Sequence, residues 1–134
     1  MSSGARTERR LKLFFDGGCR PNPGTMEAAV VAGGETHLFL GLGEGSSEQA
    51  EWAALLKALE VAESRGARDI LLLGDSATVI GQANGTLRTR GAPLEAYRAR
   101  TARFERVVVR HIGRKQNLAG IALERARWGF TSGR

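Results

Sequence analysis

The run "DILLLG", residues 69–74, constrains the fold more than any other stretch of this 134-residue chain. It is short, and its apolar residues follow one another without a polar face, which marks a strand buried on both sides of its sheet. Such a strand needs a layer above and a layer below, and the flanking segments read as helices. "SSEQAEWAALLKALEVAESRG" carries the strongest helical signal: Ser46 and Gln49 are spaced for a capping box, Gly66 is a stop, and Trp52, Leu55, Leu56, Leu59 and Ala62 form its apolar face.

Other segments fit around this pair. "RLKLFF" predicts a strand ending at Asp16, and "DGGCRPNPG" a loop punctuated by glycine and proline. "MEAAVVAGGETHLFLGLG" predicts two strands joined by a Gly-Gly hairpin turn. After the buried strand, "ATVIGQANG" and "APLEAYRARTARF" predict short helices, "RVVVRHI" a last strand, and the segment from Asn117 a closing helix. The order is three strands, helix, strand, two helices, strand, helix. It predicts an α/β fold with a mixed five-stranded sheet: an antiparallel meander, then helix-connected strands.

The length suits one domain, expected over residues 11–130, with residues 1–10 a flexible basic tail. The single Cys19 excludes an internal disulfide and favours a reducing compartment. No apolar run reaches membrane-spanning length, and "MSSGARTERR" lacks the apolar stretch of a signal peptide. A cytoplasmic, membrane-free monomer is the expectation. Charge is divided unevenly: residues 1–87 hold eight Lys and Arg against eleven Asp and Glu, whereas residues 88–115 hold nine against two. An arginine-rich stretch beside an acidic half suits a phosphate-binding surface near an acidic site; a solvated helix face is the plainer alternative.

Three acids occupy telling positions. Asp16 and Asp75 each follow an apolar strand, and Glu51 lies in register with Leu55, Ala58 and Ala62 on the long helix. Singly, each reads as a turn former or a partner for a helix dipole. Together they suggest a site at the carboxyl ends of the strands. Converging carboxylates repel unless a cation holds them, and hard oxygen ligands without a His or Cys cluster point to Mg²⁺, with Mn²⁺ as the alternative. His37 and His111 stand apart. Beside a basic surface, that suggests two-metal phosphodiester chemistry.

The blocks "FFDGGCRPNPG", "SSEQAEWAALLKAL", "LLLGDSATV" and "VRHIGRKQNLAGIAL" resemble, in order and spacing, those of type 1 ribonuclease H, from about Lys12 to Ala126. The resemblance implies a five-stranded mixed sheet flanked by helices and endonucleolytic hydrolysis of the RNA strand of RNA–DNA hybrids. It implies Asp16, Glu51 and Asp75 as metal ligands and catalytic residues. It also implies Arg114 as an aid to product release and Asn22 and Ser47 as nucleic-acid contacts. Two departures stand out. Gly120 falls where the resemblance expects a fourth carboxylate, with Glu124 one turn beyond it. Ser47 and Glu48 fall where paired asparagines are expected. The alternatives are a non-catalytic hybrid-binding module and a protein adaptor of the same fold.

Overall fold

Leu11–Arg20 forms the central strand, β1, and the rest of the sheet is arranged about it. In this computed structural model the described residues are 10–132, with side chains described through Arg127. The expected tail therefore lies outside the described residues except for Arg10, whose Nε is 3.5 Å from Asp69 Oδ1. The side chain of Trp128 also lies outside.

β2 (Gly24–Ala32) pairs antiparallel with β1 from Leu13↔Ala32 to Arg20↔Thr25. β3 (Glu35–Phe39) follows through Gly33 and Gly34 at φ 56° and 84°. A two-residue hairpin matching the sheet twist needs positive φ at both central residues, as the sequence anticipated. On the other flank, β5 (Asp69–Gly74) runs parallel to β1 and β6 (Arg106–His111) parallel to β5. The sheet order is β3-β2-β1-β5-β6, and a two-residue β4 (Glu44–Gly45) pairs with β2 off that path. The predicted meander and helix-connected strands are the arrangement found.

Helix α1 (Ser47–Ser64) begins with the expected capping box: Ser46 Oγ accepts from Gln49 N at 3.1 Å, and Gln49 Oε1 accepts from Ser46 N at 2.8 Å. α2 (Ala77–Asn84) and α3 (Ala92–Thr101) share its side of the sheet, while α4 (Leu118–Ser132) covers the other. Alternation along β2 divides the core between them. Ala28 and Val30 join Leu13, Phe15, Leu55, Leu59 and Ile70, whereas Ala29 and Val31 join Ala119 and Leu123. Trp52 is core, as expected; its Nε1 donates to Gln82 Oε1 at 2.8 Å and its ring meets Tyr97 edge-on.

One boundary is corrected. Residues 17–20, expected as loop, continue β1, because β2 keeps pairing with them as far as Arg20. Gly17 is part of the reason. A Cβ there would lie 2.1 Å from the Ala50 carbonyl oxygen, so glycine lets α1 rest directly on the strand.

The arginine-rich stretch is also less free than its charge suggests. Arg100 and Arg103 on and beyond α3 reach Glu63 on α1 at 3.3 and 3.2 Å, and Arg100 also reaches Glu60 at 3.8 Å. Arg90, by contrast, lines a cleft of about 510 Å³ with Ser46, Glu48 and Trp52 at the start of α1. If this cleft carries the hybrid binding that the sequence resemblance implies, that binding is expected to respond to Arg90→Glu. Affinity should weaken, and the log–log salt slope should shrink by about 0.9 for each phosphate no longer neutralised. Arg100→Glu with Arg103→Glu should leave that slope unchanged and lower stability instead. Fluorescence anisotropy across a salt series checks both.

Candidate metal centre and nucleic-acid surface

Pairing between β1 and β5 ends at Phe14↔Leu73, while pairing between β1 and β2 continues. Asp16 sits just past that fork and is 6 % exposed. It falls in phase with Phe14, toward α4. Asp75 immediately follows β5, and Glu51 lies in the second turn of α1, above Gly17. One carboxylate oxygen from each of the three comes within 4.8 Å of the others. The strand fork and the close seat of α1 thus bring together the three acids singled out in the sequence.

Their protonation is strongly perturbed. Burial, then the charge of Asp75, pushes Asp16 from its ordinary 3.8 up to about 6, against the pull of Arg114 and Arg127. Burial, then the charges of Asp16 and Asp75, pushes Glu51 from 4.5 up to about 9. The Gly17 N–H, donating to Glu51 Oε1 at 3.3 Å, opposes that rise only in part. Three negative charges so placed are unfavourable at neutral pH without a cation. The donor set is all carboxylate oxygen, which fits a hard divalent ion such as Mg²⁺ or Mn²⁺.

Asp75 is held on both oxygens. Arg114 Nη1 lies 3.2 Å from Oδ1, and Asn117 Nδ2 donates to Oδ2 at 2.8 Å. Asn117, read from the sequence only as the start of the closing helix, is fully buried and links three elements. Its Nδ2 also donates to the Phe15 carbonyl on β1 at 3.0 Å, and its Oδ1 caps α4 by accepting from Ala119 N at 3.1 Å. No local signal could reveal a bond to a residue 42 positions away. Asn117→Ala removes a cap and leaves a buried carbonyl one partner short, together worth roughly 2–4 kcal/mol. A urea unfolding midpoint well below that of the unmodified protein is the expected result.

The expected nucleic-acid residues also meet. Asn22 Oδ1 accepts from Ser47 N at 3.1 Å, so the loop after β1 is fastened to the start of α1. Cys19 is buried, and its thiol donates to the same Oδ1 at 3.6 Å. Glu48, which would repel phosphate, has Oε2 3.4 Å from Gln82 Nε2 and so leans toward α2.

Along α4, a Cβ at Gly120 would lie 3.4 Å from Asp16 Oδ2. The neighbouring Ile121 is 39 % exposed and lines an opening of about 460 Å³ with Arg114, Lys115, Gly120 and Glu124. Glu124 is exposed and also borders the cleft that holds Asp16. No described helix is long and apolar enough to cross a membrane.

Comparison with known proteins agrees with this geometry. The family model described as reverse transcriptase-like matches residues 15–125. A ribonuclease HI of Halobacterium salinarum is 34 % identical over 128 residues, covering 85 % of this chain; the chain spans 62 % of that relative's length. The crystal structure of RNase H1 from Halobacterium salinarum NRC-1 superposes with a TM-score of 0.78 at 31 % identity, over 88 % of this chain and 97 % of that one. LC11-RNase H1, solved in complex with an RNA/DNA hybrid, gives a TM-score of 0.71 at 25 % identity, over 88 % of this chain and 99 % of that one. The fold is ribonuclease H-like, and the chain belongs to the ribonuclease HI family.

Proposed function

We propose that this chain hydrolyses the RNA strand of RNA–DNA hybrids, with Mg²⁺ or Mn²⁺ held by Asp16, Glu51 and Asp75. The observation that carries this reading is the approach of three carboxylates to within 4.8 Å of one another. A fold gains nothing from burying such a group unless a cation joins it. When bound, divalent ions supply Lewis acidity toward the scissile phosphate and lower the pKa of a water.

The remaining work falls to the protein. Asn117 and Arg114 fix the direction of Asp75, and Gly17 N–H orients Glu51. Arg114, 81 % exposed, can reach from Asp75 to a phosphate as product leaves. Asn22 has its Nδ2 donor to offer phosphate or ribose, and Ser47 a hydroxyl whose contact in the fold is a long one, 3.9 Å to the Cys19 sulfur. The ribose 2′-OH is the group that distinguishes RNA from DNA.

Incubating the protein with a labelled hybrid, single-stranded RNA and duplex DNA, in Mg²⁺ and Mn²⁺ in parallel, tests the reading. Cleavage confined to the RNA strand of the hybrid is expected, faster in Mn²⁺. No cleavage in either ion, with tight hybrid binding, would instead make the chain a binding module. The specific observation favouring that second reading is that neither Gly120 nor Ile121 offers Asp16 a carboxylate from α4.

A further inference from the structure

Glu48 occupies the first turn of α1, is exposed, and has no task in the proposed reading. It precedes Glu51 by three residues, so the two side chains are neighbours along the helix. On its other side it lines the cleft that holds Thr89 and Arg90. Glu48 thus stands between the carboxylate group and an exposed cation.

Its direction is set from the core. The indole N–H of Trp52 can only donate, so it holds Gln82 by Oε1 at 2.8 Å and turns the amide nitrogen the other way. That nitrogen donates to Glu48 Oε2 at 3.4 Å. Trp52 is buried, which anchors the whole line. With Oε2 engaged, Oε1 is the atom left to accept from whatever lies over the start of α1.

We propose that Glu48 is a specificity-determining residue whose carboxylate accepts a hydrogen bond from the 2-amino group of guanine, so that the chain cuts hybrids at a fixed distance from a G·C pair. The proposal rests on the hybrid-cleavage reading above and deepens it from a substrate class to a sequence preference.

The groove follows from the substrate. The deep, narrow major groove of an A-form helix admits no side chain, whereas the shallow minor groove displays 2′-OH groups and base edges. A chain that recognises RNA by its 2′-OH therefore lies along the minor groove. With the RNA strand at Asp16, Glu51 and Asp75 and the other strand toward Arg90, Glu48 falls over the groove floor between them.

The base follows from the carboxylate. Purine N3 and pyrimidine O2 are acceptors, and the guanine 2-amino group is the one donor that base edges present in this groove. An ionised carboxylate only accepts, so it is repelled over A·T and hydrogen-bonded over G·C. Ribose 2′-OH groups also donate, but they stand at the groove rim beside phosphates, where a second negative charge is unfavourable.

The test maps cuts made by the full chain in an end-labelled hybrid of mixed sequence, in Mg²⁺ and in Mn²⁺. Cuts should cluster at one constant distance from G·C pairs, about fivefold above the same distance from A·T, the lower end of what one base contact provides. Inosine in place of guanosine, which removes only the 2-amino group, should erase the bias. 2,6-Diaminopurine in place of adenine, which adds that group, should create it at A·T positions. Glu48→Gln supplies a donor as well as an acceptor and should level the pattern. Circular dichroism confirms the fold of this variant; should it fail to fold, the two base replacements decide with the unmodified chain. Should the chain not cleave, fluorescence anisotropy with 2′-fluoro RNA strands reads the same preference as affinity. Cleavage indifferent to both base replacements, or a bias unchanged in Glu48→Gln, overturns the proposal and leaves the nuclease reading standing. An affinity that depends on the amino group and on Glu48, without cleavage, supports the proposal and defeats only the nuclease reading. No cleavage and no amino-dependent affinity overturns both.

Discussion

Asp16→Asn is expected to reduce hybrid cleavage to background while leaving the fold intact and raising the melting temperature of the metal-free protein. Asp16 is central to the carboxylate group, and an amide cannot supply the charge a divalent ion needs. The same change relieves repulsion with Glu51 and Asp75. Each kcal/mol relieved raises the midpoint by roughly 4 °C in a domain of this size.

The pH dependence has a definite sign. Asp16 is harder to ionise in the fold than in the unfolded chain, so its charge destabilises the native state above about pH 4, fully so once pH passes about 6. The advantage of Asp16→Asn should vanish below pH 4 and reach its full size above 6. For Glu51→Gln the advantage should grow from about pH 4.5 to about 9. Added Mg²⁺ should raise the melting temperature of the unmodified chain and do little for either variant. Undiminished cleavage by purified Asp16→Asn would defeat the metal-site reading outright.

Restoring a carboxylate on α4 should produce the second large effect. The sequence resemblance places the missing acid at Gly120, where a Cβ would already touch the Asp16 carboxylate at 3.4 Å. A charged side chain starting there presses on Asp16 before it can share a cation with it. Ile121 opens onto the wider space bordered by Arg114 and Glu124, and replacing a partly exposed isoleucine there removes little packing. Ile121→Asp is therefore expected to raise cleavage in Mg²⁺ by about 10- to 100-fold, the range associated with residues that support metal ligands. Gly120→Asp should gain less, despite a more favourable helix start. Kinetics of both variants with Glu124→Gln decide the matter. A gain confined to Gly120→Asp returns the role to that position, and a severe loss in Glu124→Gln shows that Glu124 already serves.

Most of the architecture was legible because its signals are local. Ser46 and Gln49 are three residues apart and cap the helix they predict. Gly33 and Gly34 supply the two positive φ values of their turn, and the apolar run 70–73 requires both of its covering layers. What stayed hidden is non-local. Glycine and proline after Asp16 look like a loop until β2 is present to pair with the strand. Arg100 and Arg103 look like a phosphate surface until Glu60 and Glu63 are seen one turn apart on α1. The three acids could be named from the sequence because strand ends and helix register gave each a place. Asn117, which holds Asp75, has an ordinary local place at a helix start and gave no such sign.

The contact between Gly17 and the backbone of Ala50 bears on how this chain can drift over generations. Ordinary helix-on-sheet spacing depends on side-chain volume, so an exchange of Leu for Val or Ala moves the layers by tenths of an ångström. At Gly17 the layers meet main chain to main chain, and no side chain lies between them to change size. The Asp16–Glu51 separation is thus insulated from neutral turnover elsewhere in the core. The hydrophobic interior can wander in composition without retuning the acids it supports, and the cost falls on one position that tolerates only glycine.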